Sequence, residues 1–147
     1  MITNMCHSFN LYFKPTSDLP MPSSRKKVFI SFDFDNDKCL KDSLIGQSKL
    51  EHSPFEVHDC SLREASKEEA WEEKARKKIE QADLVIVMLG SYTHKSPGVL
   101  KEIAIAKALK KKVVQLIGYK DSKCPRIKGA GYLYHWNWDN LKKVLDQ

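Results

Sequence analysis

The stretch Ala82-Asp83-Leu84-Val85-Ile86-Val87-Met88-Leu89 decides the fold. Leu84 to Leu89 is an uninterrupted apolar run with no polar side to offer solvent. A strand of this kind is expected to be buried on both faces, at the centre of a parallel sheet. Upstream, Val28-Phe29-Ile30-Ser31-Phe32 is a second short buried run. Phe55-Glu56-Val57-His58 alternates between apolar and polar residues, as a strand nearer an edge does. Downstream, Val113-Val114-Gln115-Leu116-Ile117 predicts a fourth strand, and a short edge strand is expected near Tyr132 to Tyr134.

Helical patterns separate these runs. One helix is expected from about Asn36 to Ser48. The next opens on a capping box, Ser66 with Glu69 three residues later. It carries the i,i+4 pairs Glu72–Arg76 and Glu73–Lys77 and buries Ala70, Trp71, Ala75 and Ile79. A third starts at Pro97, a residue suited to a first helical turn, and runs to about Lys111. Asn137 caps a last helix reaching Leu145. Strands alternating with helices predict right-handed crossovers and a doubly wound parallel sheet of 4–5 strands, with helices on both faces. Residues 1–24, broken by Pro15, Pro20 and Pro22, are expected to be an irregular arm before a domain at 25–147. There is no internal repeat.

Composition narrows the function. The 147 residues fit one domain able to bury a core without disulfide or metal. Hydrophobic residues make up 41% and charged residues 30%, ordinary values for a globular protein. No apolar run approaches the roughly 18 residues of a membrane span. Met1 to Pro22 lacks the apolar core of a signal peptide, so the expected location is the cytoplasm, away from membranes. There the four cysteines, Cys6, Cys39, Cys60 and Cys124, should be reduced thiols. They form no CxxC pair, so no metal site is expected. His52, His58 and Cys60 fall close together but are explained by a strand and its preceding loop.

The net charge of +6 invites a nucleic-acid hypothesis. Its distribution argues against one. Lys107, Lys110, Lys111 and Lys112 crowd one helix end, where cations complement the macrodipole. The basic residues between Lys67 and Lys78 alternate with glutamates on a solvated face. No nucleic-acid partner is expected.

In an open α/β sheet, ligands bind beyond the carboxyl ends of the strands, where strand order reverses. Three loops meet that condition: Ser31 to Asn36, the loop after Cys60, and Gly90 to Gly98. None contains GxGxxG or GxxxxGK[ST], so the phosphate cradles of dinucleotide folds and P-loop proteins are missing. Asp33, Asp35 and Asp37 would repel a flavin phosphate after the first strand. A phosphoacceptor domain needs an aspartate ending the third strand, where Leu89-Gly90-Ser91 has none. One residue breaks its helix pattern. At about 100° per residue, Glu102 projects between Ala106 and Leu109, inside the apolar sector that also holds Val99 and Ile103. A carboxylate aimed at apolar neighbours costs stability unless it is paired or used. The competing explanation is a rim ion pair with Lys101 or a neighbouring basic group.

Several segments resemble TIR domains: Lys27-Val28-Phe29-Ile30-Ser31-Phe32 their opening strand, Ala82 to Leu89 their central strand. Lys101-Glu102-Ile103-Ala104-Ile105-Ala106, with Lys112-Val113-Val114 beyond it, resembles the segment carrying the glutamate of enzymatic TIR domains. The turn Phe32-Asp33-Phe34-Asp35-Asn36-Asp37 and the segment Trp136-Asn137-Trp138-Asp139-Asn140-Leu141 are similar to TIR-like proteins of the Thoeris antiphage defence system. The resemblance covers about residues 25–147 and implies a flavodoxin-like fold. It implies an enzyme that breaks the nicotinamide–ribose bond of NAD and makes an ADP-ribose-derived, cyclic signal. NAD is then the substrate, and no cofactor is needed. Glu102 would be catalytic, Phe32 and Asp33 would line the first loop, and Ser91, Tyr92 and Thr93 would approach ribose and phosphates. A homo-oligomer on activation and a downstream effector reached by a diffusible signal are the implied partners. Two alternatives stand beside this one: a non-catalytic self-association module, and another ribosyl-transferring enzyme such as a nucleoside hydrolase or deoxyribosyltransferase.

Overall fold

A computed structural model describes residues 25–61, 68–119 and 123–146. The expected arm at 1–24 and the capping box at Ser66 lie outside them. The elements are β1 (Lys26–Ser31), α1 (Lys38–Ser48), β2 (Phe55–Cys60), α2 (Glu68–Gln81), β3 (Leu84–Leu89), α3 (Pro97–Ala108), β4 (Lys112–Ile117), β5 (Leu133–His135) and α4 (Trp138–Asp146). A short 3₁₀ turn at Thr93–Lys95 precedes α3. All five strands are parallel, in the order β2-β1-β3-β4-β5. This is the α/β doubly wound sheet that the alternating pattern predicts, with Leu84–Leu89 fully buried in its middle.

Alternation along β3 divides the core. Leu84, Ile86 and Met88 join Val28, Ile30, Leu40, Leu44, Leu141 and Leu145 on the face covered by α1 and α4. Val85, Val87 and Leu89 face the other way, toward Ile79 of α2 and Val99, Ile103 and Ala106 of α3. Helix α3 stops earlier than its apolar pattern suggests, because Lys110 turns into the left-handed region at φ 58°. On α2, Trp71, Ala75 and Ile79 are buried, but Ala70 is exposed. Asn137 caps α4 as expected, its Oδ1 accepting from the Asn140 backbone N–H at 2.8 Å.

Two departures matter. Cys39 is disulfide-bonded, so the expectation of reduced thiols does not hold there; Cys60 and Cys124 are free. The edge strand β2 also runs longer than its alternation predicts, and it contains a bulge. Val28 pairs with Val57, but Phe29 pairs with Asp59, skipping one residue. His58 bonds Gln81 at 2.8 Å and Asp59 bonds Lys78 at 2.9 Å, so two consecutive side chains point at α2. A one-residue slip exchanges faces for everything that follows. Phe55 and Val57 face α1, as does Cys60 beyond the bulge, and Ser61 is turned toward α3.

Candidate active site

Strand order reverses between β1 and β3, and a cleft of about 520 Å³ opens at their carboxyl ends. Small-molecule sites usually span about 300–1,000 Å³. Its walls come from the β1–α1 turn (Phe32 to Asn36), from Trp71 of α2, and from the approach to α3 (Tyr92, Lys95 to Gly98). Ser61 and Glu102 also line it.

Glu102 is 0% exposed to solvent. Its Oε1 accepts hydrogen bonds from Ser31 Oγ at 2.7 Å and Ser61 Oγ at 2.5 Å. Each serine arrives by strand geometry. Ser31 shares the α3-facing side of β1 with Phe29, two residues earlier, while Ser61 is turned there by the bulge. Ser61 Oγ also accepts from the Phe32 backbone N–H at 3.1 Å, and its shortest contact to an acceptor is the one to Glu102. Two hydroxyl donors converging on one oxygen stabilise a negative charge and fix its position. Lys101 does not settle the alternative of a rim pair at Glu102. Its amino group lies 3.7 Å from Glu72 and 5.8 Å from the centre of the Trp71 ring.

The first turn is self-supporting. Asp33 Oδ1 accepts from the Asp35 N–H at 3.2 Å and Oδ2 from Asn36 Nδ2 at 2.7 Å, so its carboxylate holds its own loop while lining the cleft. The buried Phe32 ring stacks on half-exposed Phe34 at 5.6 Å. Across the opening, Tyr92 is 60% exposed.

Of the residues expected at the site, Phe32, Asp33, Tyr92 and Glu102 come together around the cleft; Ser91 and Thr93 do not line it. Thr93 is fully buried, and its hydroxyl is engaged behind the cleft with Asp37 and Gly90. Sequence reasoning missed Ser61, Trp71 and Lys95, and it missed Ser31 as a partner of Glu102. For Ser31 the signal existed: a hydroxyl at the end of an apolar strand, in phase with Phe29. For Ser61 there was none, because its direction depends on the bulge. Among the described residues no cluster of His, Cys, Asp or Glu is arranged to hold a metal, and no helix is long and apolar enough to cross a membrane.

A solved CMP N-glycosidase from Clostridium botulinum is 23% identical, with alignment over 82% of this chain and 96% of that one and a TM-score of 0.48. No curated protein matches significantly. The TIR-like domain of the Thoeris protein ThsB matches residues 29–122, which run from within β1 past the end of β4 and include Ser31, Ser61 and Glu102. The chain belongs to the family of ThsB TIR-like domains.

Proposed function

We propose that this chain cleaves the nicotinamide–ribose bond of NAD and releases an ADP-ribose-derived, cyclic product as a diffusible signal in antiphage defence. The observation that carries the reading is the buried Glu102 carboxylate, held by Ser31 and Ser61 where the cleft meets the sheet. Glycosidic cleavage passes through an oxocarbenium-like state, and a fixed negative charge beside the ribose stabilises it in a low-dielectric site. Nicotinamide takes the bonding electron pair and leaves neutral, so no strong acid is required. Attack by another hydroxyl of the same molecule, with loss of its proton, closes a cyclic product. Lys95 at the rim suits the phosphates, while Phe32, Phe34 and Trp71 offer apolar walls to the rings. A cleft open to solvent also fits activation by self-association, with a second copy completing the site.

The test is Glu102→Gln beside Glu80→Gln, an exposed control. The amide keeps the shape and removes the charge. Cleavage should fall about a hundredfold or more, the equivalent of roughly 2–4 kcal/mol of lost electrostatic stabilisation. Folding should survive, since a neutral amide is easier to bury than a carboxylate. A folded Glu102→Gln protein cleaving NAD at the wild-type rate would overturn the assignment.

A further inference from the structure

A second buried carboxylate lies behind the cleft, and the chemistry proposed above leaves it unused. Asp37 precedes α1, but its side chain makes no cap bond to the helix. Its side chain turns inward and is 3% exposed. Oδ2 accepts from Thr93 Oγ1 at 2.9 Å, and Oδ1 accepts from the Tyr119 hydroxyl at 3.2 Å. Thr93 Oγ1 in turn accepts from the Gly90 backbone N–H at 2.7 Å. Three connections at the carboxyl edge of the sheet are joined at this one side chain: the β1–α1 turn, the β3–α3 turn, and the segment leaving β4.

The chain makes room for this arrangement. Any Cβ at Gly90 would collide with the Asp37 carboxylate, so only glycine fits there without displacing it. Burial pushes the Asp37 carboxyl above its ordinary value, against the lowering effect of Thr93 and Tyr119; Asp33 adds to the rise. Cys124, on the loop after β4, also faces the group. A carboxyl group buried where it costs stability points to a use beyond packing. A carboxylate is the side chain that accepts from two hydroxyls on two separate atoms. An asparagine would offer one acceptor oxygen in place of two, so one of the two hydroxyls would have to give up its donated bond.

From this geometry we infer that Asp37 is a positioning residue: through Thr93 and Tyr119 it locks the two turns that wall the cleft, and so presents Phe34, Tyr92 and Lys95 to the substrate. The clamp acts at some remove from Glu102. It should therefore govern how substrate is held rather than the bond-breaking step. The functional half of this inference rests on the NAD-cleaving reading; the structural half does not.

The experiment compares Asp37→Asn, Thr93→Val and Thr93→Ser with the wild-type chain. Three readouts are taken: thermal stability, amide hydrogen exchange, and steady-state NAD cleavage. Asp37→Asn and Thr93→Val should speed exchange in both turns, at 35–37 and at 90–96, by about tenfold, the equivalent of one lost hydrogen bond. The strands should stay protected. The KM for NAD should rise about tenfold with kcat changed much less, and Thr93→Ser, which restores the hydroxyl, should recover both. Exchange in the two turns that is unchanged, or that rises only in step with global unfolding, would overturn the clamp. A kcat loss with KM unchanged would also overturn the positioning role. If the wild-type protein leaves NAD intact, the NAD reading fails on its own, and the exchange comparison still decides the fate of Asp37.

Discussion

Glu102 and Asp37 are both carboxylates sunk in the body of the domain, 0% and 3% exposed, and each receives two hydroxyl hydrogen bonds. Glu102 takes its pair on one oxygen and lines an open cleft. Asp37 takes one on each oxygen and is closed in by Gly90, Thr93 and Tyr119. Burial does not by itself mark a reacting carboxylate. A charge that must meet developing positive charge on a substrate needs a path to it. A charge that holds loops needs partners on both sides.

Amide substitution at the two positions should separate these roles most sharply. The hundredfold loss expected for Glu102→Gln falls on kcat, whereas the smaller loss for Asp37→Asn falls on KM. Equal losses of the same kind at both would erase the distinction. Removing one donor to Glu102 should have a smaller effect. Ser31→Ala or Ser61→Ala should each lower turnover about tenfold, since the lower end of the roughly 1.5–3 kcal/mol contributed by a hydrogen bond to a charged group corresponds to that factor and the other hydroxyl remains. Measured rates should show the two losses combining less than additively, because both hydroxyls act on one oxygen. Full additivity would mean that they act on different atoms.

The smallest effect concerns pH. Asp37 holds its proton more tightly in the folded chain than at its ordinary value of 3.8. Its contribution to stability is fully present below that value and is lost as pH rises through the higher folded value. The melting temperature of the wild type relative to Asp37→Asn should therefore rise as pH falls from neutral toward 3.8. A difference that is flat, or that has the opposite slope, would mean that burial does not set the behaviour of this group.

These two carboxylates also show how far the sequence could be read. Glu102 was legible because it breaks the apolar phase of its own helix, a local fact that needs no knowledge of neighbours. Leu84–Leu89 placed itself at the sheet centre in the same way. Asp37 was legible only as one acid in an acidic turn; its partners are 56 and 82 residues away. Thr93 was expected to reach the substrate, as the TIR resemblance implies for its loop. The 3₁₀ turn instead buries it behind that loop. Ser61 depends on a bulge in β2 that no alternation announces. Periodicity reports which way a side chain faces within one element. It does not report slips between elements or what long-range pairing places opposite.

The central claim, that this chain cleaves NAD, is tested most directly by the products. Folded wild-type protein is incubated over a wide range of concentrations with NAD and, separately, with deoxynucleosides, and the products are identified by mass spectrometry. Nicotinamide and an ADP-ribose-derived product are expected from NAD, with specific activity that rises with protein concentration as copies associate, and deoxynucleosides should stay intact. Intact NAD at every concentration would contradict the claim. Base release from deoxynucleosides would then favour the other ribosyl-transferring chemistry, and no cleavage of either would favour a self-association module.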